Sequence, residues 1–152
     1  MYFDDPLILE RYRNPRHQGK FVGSTHTADG DNPFCGDFIE LYLELQGHGQ
    51  DAIIARAAFE GYACSLCIAS TDLLLERITG MSVAQALSID LDDLLSYWGD
   101  AEKCRNNHCM PSSGQFASES DKQAVSGASL ELGRTRRGCV ELPLRVLERA
   151  LA

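Results

Sequence analysis

Three cysteines and one aspartate in this chain have the side chains needed to hold a metal. Cys35 and Asp37 are separated by one glycine, and Cys64 and Cys139 lie further along the chain. Three thiolates and one carboxylate suffice for a four-coordinate metal ion or a small iron–sulfur cluster. Soft thiolate ligands favour zinc or iron–sulfur species. We infer that a carboxylate in place of a fourth thiolate holds its cargo less tightly, which suits transfer.

Two of these cysteines are predicted to lie next to helix N-termini. Cys64 and Cys139 each fall just before a predicted helix. Free N–H groups and the partial positive charge at a helix N-terminus stabilise a thiolate and lower its pKa. Arg136 and Arg137 add positive charge beside Cys139, which therefore has the most electropositive setting of the three.

The remaining cysteines allow other interpretations. Cys67 lies one helical turn after Cys64, where a buried cysteine on the helix face is the favoured interpretation. The first alternative is a structural zinc site in which Cys64 and Cys67 combine with Cys104, His108 and Cys109. The second alternative is a thiol redox protein with a Cys-x-x-Cys motif, although the βαβ pattern expected around that motif is absent.

Length and charge limit the function classes. The 152 residues favour one domain, 1–152, with 44% hydrophobic and 24% charged residues, as in ordinary soluble proteins. A net charge of −8 argues against a nucleic-acid surface. No stretch reaches the roughly 20 apolar residues of a membrane span, and the acidic N-terminus does not resemble a secretory signal. We therefore expect a cytoplasmic protein, in which six cysteines indicate metal or redox chemistry.

Hydrophobic periodicity predicts an α+β fold. Asn14-Pro15 is expected to end a first helix that starts at Pro6. Strict alternation predicts a strand over 38–46, and a second strand over 52–60, which ends at Gly61, would complete an antiparallel hairpin. A weaker pattern places a third strand near 22–27.

The second half of the sequence predicts helices around an irregular insertion. A helix is expected over 65–79, with Gly80 just after its end. Ser82 and Asp90 would cap two short helices, the second running to about residue 98. The stretch at about 99–133 is irregular, with a short helix expected over 121–132. The last helix is expected over 140–151, with Pro143 in its first turn.

The chain resembles the U-type iron–sulfur cluster assembly scaffolds, which comprise the IscU and SufU proteins and the N-terminal domain of NifU. The resemblance covers about residues 2–90 and 134–152 and depends on an ordered set of short motifs. In chain order these are Tyr12-Arg13-Asn14-Pro15-Arg16, Asn32-Pro33-Phe34-Cys35-Gly36-Asp37, Gly61-Tyr62-Ala63-Cys64-Ser65, Ile68-Ala69-Ser70, Gly80-Met81-Ser82 and Cys139-Val140-Glu141-Leu142-Pro143.

The resemblance implies a three-stranded antiparallel sheet covered on one side by helices, with the cysteines at one end. It also implies that Cys35, Asp37, Cys64 and Cys139 bind a transient [2Fe–2S] cluster or, as in SufU, zinc. The implied partners are a cysteine desulfurase, which delivers sulfur as a persulfide, and downstream iron–sulfur acceptor proteins. Because it has the most electropositive setting, Cys139 is the first candidate persulfide acceptor, and Cys64 is the second. Such a protein is a scaffold or a sulfurtransferase, and a monomer or a weak homo-oligomer.

Two departures favour the SufU branch. Gly138 stands where the IscU branch has a histidine ligand, and the chaperone-docking Leu-Pro-Pro motif of that branch is absent. Arg136, three residues before Cys139, matches an arginine of the SufU branch. The insertion at about 99–133 lies where the SufU branch also has an insertion. A zinc-dependent sulfur relay without a cluster is therefore the principal alternative to a cluster scaffold.

Overall fold

The computed structural model describes residues 6–33, 36–96 and 134–152. Its central feature is a three-stranded antiparallel sheet in which the strands follow one another in chain order. The strands are β1 (His26–Asn32), β2 (Asp37–Gln46) and β3 (Ile53–Tyr62), and a 3-10 turn (Gly49–Asp51) joins the last two. The helices are α1 (Pro6–Arg13), α2 (Ser65–Ile78), α3 (Val83–Leu87), α4 (91–96) and α5 (Arg134–Leu151). The predicted α+β fold is confirmed.

Strand β2 supplies the centre of the core. Ile39, Leu41 and Leu43 are fully buried, whereas Glu40 and Glu44 lie on the opposite face. This alternation confirms the predicted hairpin between β2 and β3. Burying three large aliphatic side chains contributes about 1.5–3 kcal/mol each.

Strand β3 continues past its predicted end at Gly61. Gly61 pairs with Ile39 and has a φ of +148°, and a Cβ there would collide with the carbonyl oxygen of Phe38. A glycine is needed at this position because the two backbones approach closely. The residue therefore lies inside the strand, which reaches Tyr62.

The predicted position of the third strand is wrong by about four residues. β1 covers His26–Asn32, and its core-facing residues are Ala28, Gly30 and Asn32, none of which is large and apolar. A Cβ at Gly30 would lie 2.7 Å from Cγ2 of Val146, so the small residues allow α5 to pack closely on the strand. Close packing of this kind leaves no hydrophobic alternation for sequence reasoning to find.

Most helix boundaries agree with the sequence. α1 begins at Pro6 and ends before Asn14, α2 is followed by Gly80 with a φ of +93°, and Ser82 forms a capping box at α3. Asp90 caps α4 through a reciprocal pair of hydrogen bonds with Asp93. The predicted insertion at about 99–133 and its helix over 121–132 lie outside the described residues. Among the described residues, no helix has the length and hydropathy needed to cross a membrane.

The start of the last helix was predicted wrongly. α5 begins at Arg134 rather than at residue 140, so Pro143 is its tenth residue and not part of its first turn. Proline lacks an amide hydrogen and therefore cannot make the helical bond to the carbonyl of Cys139, four residues earlier. Burial of Val140, Leu142 and Val146 against the sheet offsets this cost.

A buried ion pair holds α1 against α2. Asp72 on α2 is fully buried, and its Oδ2 lies 2.8 Å from Nη1 of Arg11. Its Oδ1 accepts hydrogen bonds from the backbone N–H groups of Arg16 and His17 at 2.9 and 2.8 Å. The second guanidinium nitrogen of Arg11 pairs with Glu76 at 2.8 Å. One buried carboxylate therefore fixes both the helix and the segment that follows it.

Candidate metal centre

The ends of three elements bring Asp37, Cys64 and Cys139 together. Their candidate ligand atoms all lie within 4.8 Å of one another. Asp37 opens β2 and Cys64 comes two residues after the end of β3, so antiparallel pairing places both at one end of the sheet. Helix α5 runs antiparallel to β1, which brings Cys139 close to Asn32 at the same end.

Asp37 contacts both the backbone and the side chain of Cys64. The carboxylate is 1% exposed, and its Oδ1 accepts a hydrogen bond from the backbone N–H of Cys64 at 2.8 Å. Its Oδ2 lies 4.0 Å from Sγ of Cys64. A buried carboxylate is thus positioned beside a thiol at the start of a helix.

The environment of Cys64 favours its thiolate. The residue is the N-cap of α2 and is partly exposed. Its pKa is lowered, first by a hydrogen bond with the thiol of Cys139 and further by bonds from the backbone N–H groups of Cys67 and Leu66. Partial burial and the negative charge of Asp37 oppose this shift. The predicted helix N-terminal setting of Cys64 is confirmed.

The predicted N-terminal setting of Cys139 is wrong. The residue lies in the second turn of α5, not before its first turn, and is 1% exposed. Arg137 has 60% of its side chain exposed and pairs with Glu141 at 3.3 Å. Arg136 belongs to α5, but its side chain lies outside the described residues. The helix extends further towards the N-terminus than its apolar periodicity indicated, so its free N–H groups lie away from Cys139.

Asn32 is a site residue that sequence reasoning missed. It is 3% exposed, and its Nδ2 donates a hydrogen bond to Sγ of Cys139 over 3.8 Å. Its place in the Asn-Pro-Phe-Cys-Gly-Asp motif was the available signal, but nothing in that motif points to a residue 107 positions away.

The fourth predicted ligand, Cys35, lies outside the described residues. Its neighbours Pro33 and Gly36 line a cleft of about 390 Å³ that also includes Asn32 and Asp37. Gly36 has a φ of +69°, the left-handed conformation expected of a glycine that lets this loop turn. The assignment of Cys35 stays a prediction.

The favoured interpretation of Cys67 is confirmed. Cys67 is fully buried in the hydrophobic core on α2. Within the described residues, the group of candidate ligands contains Cys64 but not Cys67. The proposed partners Cys104, His108 and Cys109 of a separate zinc site lie outside the described residues.

The described donor set suits a soft metal. Two thiols and one buried carboxylate converge, and one of the thiols has a stabilised thiolate. Sulfur ligands of this kind select zinc or iron in sulfur-rich sites. The residues present therefore fit zinc or an iron–sulfur species.

Comparison with known proteins identifies the family. The family model described as the NifU-like N terminal domain matches residues 3–127. This chain belongs to the NifU-like N-terminal domain family. The resemblance inferred from the ordered motifs is confirmed.

Curated relatives of this NifU-like domain include two kinds of protein. The zinc-dependent sulfurtransferase SufU of Bacillus subtilis is 30% identical over 138 residues, which cover 84% of this chain and 90% of the relative. The iron–sulfur cluster assembly scaffold protein IscU of Thermotoga maritima is 37% identical over 82 residues, 54% of this chain and 55% of the relative.

Solved structures agree with the NifU-like fold. An iron–sulfur cluster assembly scaffold protein of the SUF system from Fervidobacterium islandicum has a TM-score of 0.58 at 21% identity, with 99% of this chain and 97% of that chain covered. A NifU-like N-terminal protein from Brucella abortus has a TM-score of 0.56 at 19% identity, with coverages of 96% and 90%. At these identities the comparison supports the fold alone.

Proposed function

We propose that this protein is an iron–sulfur cluster assembly scaffold. It accepts sulfur from a cysteine desulfurase and binds a transient [2Fe–2S] cluster or zinc through Cys35, Asp37, Cys64 and Cys139. The observation that carries the proposal is the convergence of Asp37, Cys64 and Cys139 within 4.8 Å at one end of the sheet. The named scaffolds among the relatives support the same assignment. The cluster would pass on to acceptor proteins.

The site has features suited to temporary binding. Cys64 is partly exposed, whereas Asp37 and Cys139 are each 1% exposed, so Cys64 is the member of this group that solvent reaches. Iron and sulfide are the substrates that these side chains would hold. Bound zinc would keep the thiolates deprotonated and oriented.

Sulfur acceptance is a displacement at sulfur. A scaffold thiolate attacks the outer sulfur of the desulfurase persulfide, the S–S bond of that persulfide breaks, and the desulfurase cysteine leaves as a thiolate. A new persulfide then stands on the scaffold, and no external oxidant is needed. Cys139 stays our proposed acceptor, although the helix start that suggested it is not found in the structure and the residue is 1% exposed. Cys64 is its competitor, because Cys64 is more exposed and its pKa is lowered.

A zinc-dependent sulfur relay is the second candidate function. It is favoured by the SufU relative, of which the alignment covers 90%, and by Gly138 in place of a histidine. In this function the protein would carry zinc and pass sulfur on without assembling a cluster. Such a protein would be a sulfurtransferase.

Anaerobic reconstitution with ferrous iron, cysteine and a cysteine desulfurase tests both functions, with the wild type and Cys139→Ala compared by absorption spectra and metal analysis. A visible [2Fe–2S] spectrum that is lost in the variant supports the scaffold. A colourless protein with about one zinc, which stimulates sulfur turnover only when Cys139 is present, supports the relay. Full metal binding by either Cys139→Ala or Cys35→Ala would contradict the proposed ligand set.

Mass spectrometry of the protein after mixing with the loaded desulfurase identifies the acceptor. A 32-Da addition on the Cys139 peptide in the wild type and in Cys64→Ala supports Cys139. An addition that disappears in Cys64→Ala would assign the role to Cys64 instead. The structural zinc module would show a third result, in which Cys104→Ser unfolds the domain and Cys139→Ala changes nothing.

A further inference from the structure

We infer that Asn32 is a positioning residue for Cys139 and that Gly138 makes room for it. The inference rests on the proposed function, because it assigns a role at the same site. Asn32 ends β1, is 3% exposed and donates a hydrogen bond from Nδ2 to Sγ of Cys139 over 3.8 Å. Its backbone pairs with that of Asp37 on the neighbouring strand.

The packing around Asn32 accounts for the glycine before Cys139. A Cβ built on Gly138 would lie 3.1 Å from Nδ2 of Asn32, which is tighter than nine in ten real Cβ contacts. A Cβ at 138 would therefore displace the Asn32 amide beside the sulfur, or α5 relative to β1, by a few tenths of an ångström. Glycine costs about 1 kcal/mol relative to alanine inside a helix. The close approach of Asn32 gives a structural reason for a glycine at this helix position in spite of that cost.

The donor type suits a sulfur ligand. An amide N–H can donate to a thiol or a metal-bound thiolate, whereas a carboxylate in its place would repel a thiolate. Hydrogen bonds to ligand atoms from the surrounding shell fix ligand orientation, and their loss typically lowers metal affinity by about 10–100-fold. Asn32 thus holds the Cys139 sulfur in the direction of Asp37 and Cys64.

Cobalt(II) binding tests this role, because thiolate-to-cobalt charge-transfer absorption reports on sulfur coordination. The variants are Asn32→Leu, which keeps the approximate side-chain volume without the donor, Asn32→Ala, Gly138→Ala, and the double variant with alanine at both positions. We expect Asn32→Leu and Asn32→Ala to weaken cobalt binding by at least about tenfold and to change the charge-transfer band. Ser70→Ala, a buried polar substitution on α2, is the control and should leave both unchanged.

The double variant separates a direct contact from general loosening. Gly138→Ala should weaken cobalt binding in the wild type but cost nothing further once Asn32 is alanine, because the atom it collides with has been removed. Urea unfolding of the metal-free proteins checks that each variant is folded. Additive effects of the two substitutions, or an Asn32→Leu variant with wild-type affinity and spectrum, would overturn the inference.

Failure of the proposed function gives a distinguishable result. If the wild type binds no cobalt, the metal-site proposal fails, and the Asn32 contact is judged by the 13Cβ chemical shift of Cys139 in the metal-free protein. A shift that changes in Asn32→Leu, while that of Cys67 stays constant, supports the contact. An unchanged Cys139 shift refutes it.

Discussion

The Asp37 carboxylate accepts a hydrogen bond from the backbone N–H of Cys64 at 2.8 Å, so a residue of β2 fixes the start of α2. Asp37 therefore satisfies a backbone donor at the helix start from a neighbouring strand. The negative charge of the same carboxylate acts to raise the pKa of Cys64, but stronger effects lower it overall.

Asp37→Asn should make the Cys64 thiol more acidic. Asparagine keeps an oxygen that can accept the Cys64 N–H but removes the charge that opposes the thiolate. In the metal-free protein, the rate of Cys64 alkylation by iodoacetamide, followed by peptide mass spectrometry, should rise at lower pH than in the wild type. In the folded wild type, the alkylation rate should rise at lower pH than in the protein unfolded in urea, because folding lowers the pKa of Cys64.

Asp31→Asn is the control for this experiment. Asp31 is an exposed carboxylate near the same end of the sheet and makes no described contact with Cys64. Its variant should keep the wild-type profile. A shift of the Asp37→Asn profile towards higher pH would contradict the effect assigned to the Asp37 charge.

The sequence predicts the fold well where apolar residues alternate along a strand or recur at helical spacing. Ile39, Leu41 and Leu43 define β2 because they fully bury one face of the strand, whereas Glu40 and Glu44 lie on the other face. β1 gave no such signal, since Gly30 and Asn32 face α5 at close range. Local periodicity cannot register a requirement for small residues that arises from a helix more than 100 residues away.

The candidate site was predictable by residue type but not by setting. Asp37, Cys64 and Cys139 were selected because thiols and a carboxylate are metal ligands, and the fold brings these three together. The setting of Cys139 was predicted wrongly because Gly138 and Pro143 both argue against a helix locally. Tertiary packing of α5 on the sheet overrides those local preferences.

Arg11→Ala should destabilise the protein strongly. The substitution leaves the fully buried Asp72 carboxylate without the guanidinium that lies 2.8 Å away. We expect the free energy of unfolding in urea to fall by about 3–5 kcal/mol. Glu76→Gln is the matched control, because its side chain is 42% exposed and its pair with Arg11 is worth at most about 1 kcal/mol. Equal losses in the two variants would contradict the dominant role of Asp72.

Glu40→Gln should stabilise the sheet. Asp29, Glu40 and Glu60 lie directly opposite one another on the three strands, on the face away from the core. Like charges in this arrangement are destabilising, so we expect a gain of about 0.2–1 kcal/mol in urea unfolding at low salt. The gain should shrink as salt screens the repulsion.

Glu44→Gln, on the same strand and face, is the control for Glu40→Gln. Glu44 is opposite Arg56 across the sheet, with a carboxylate–guanidinium distance of 4.0 Å. Its substitution should therefore give a small loss of stability instead of a gain. A stabilisation of the same size in both variants would mean that overall net charge, rather than the row of carboxylates, causes the effect.

Pro143→Ala should stabilise α5 and disturb the site. Alanine supplies the N–H that proline lacks and removes the ring that crowds the carbonyl of Cys139. We expect the free energy of unfolding of the metal-free protein to rise by about 1–3 kcal/mol, measured by circular dichroism in urea. Cobalt affinity should change as well, because the backbone carbonyl of Cys139 gains a helical hydrogen bond that proline cannot donate. Arg145→Ala, an exposed substitution two residues on, should change neither quantity appreciably. A loss of stability in Pro143→Ala would show that the buried ring contributes more by packing than it costs the helix.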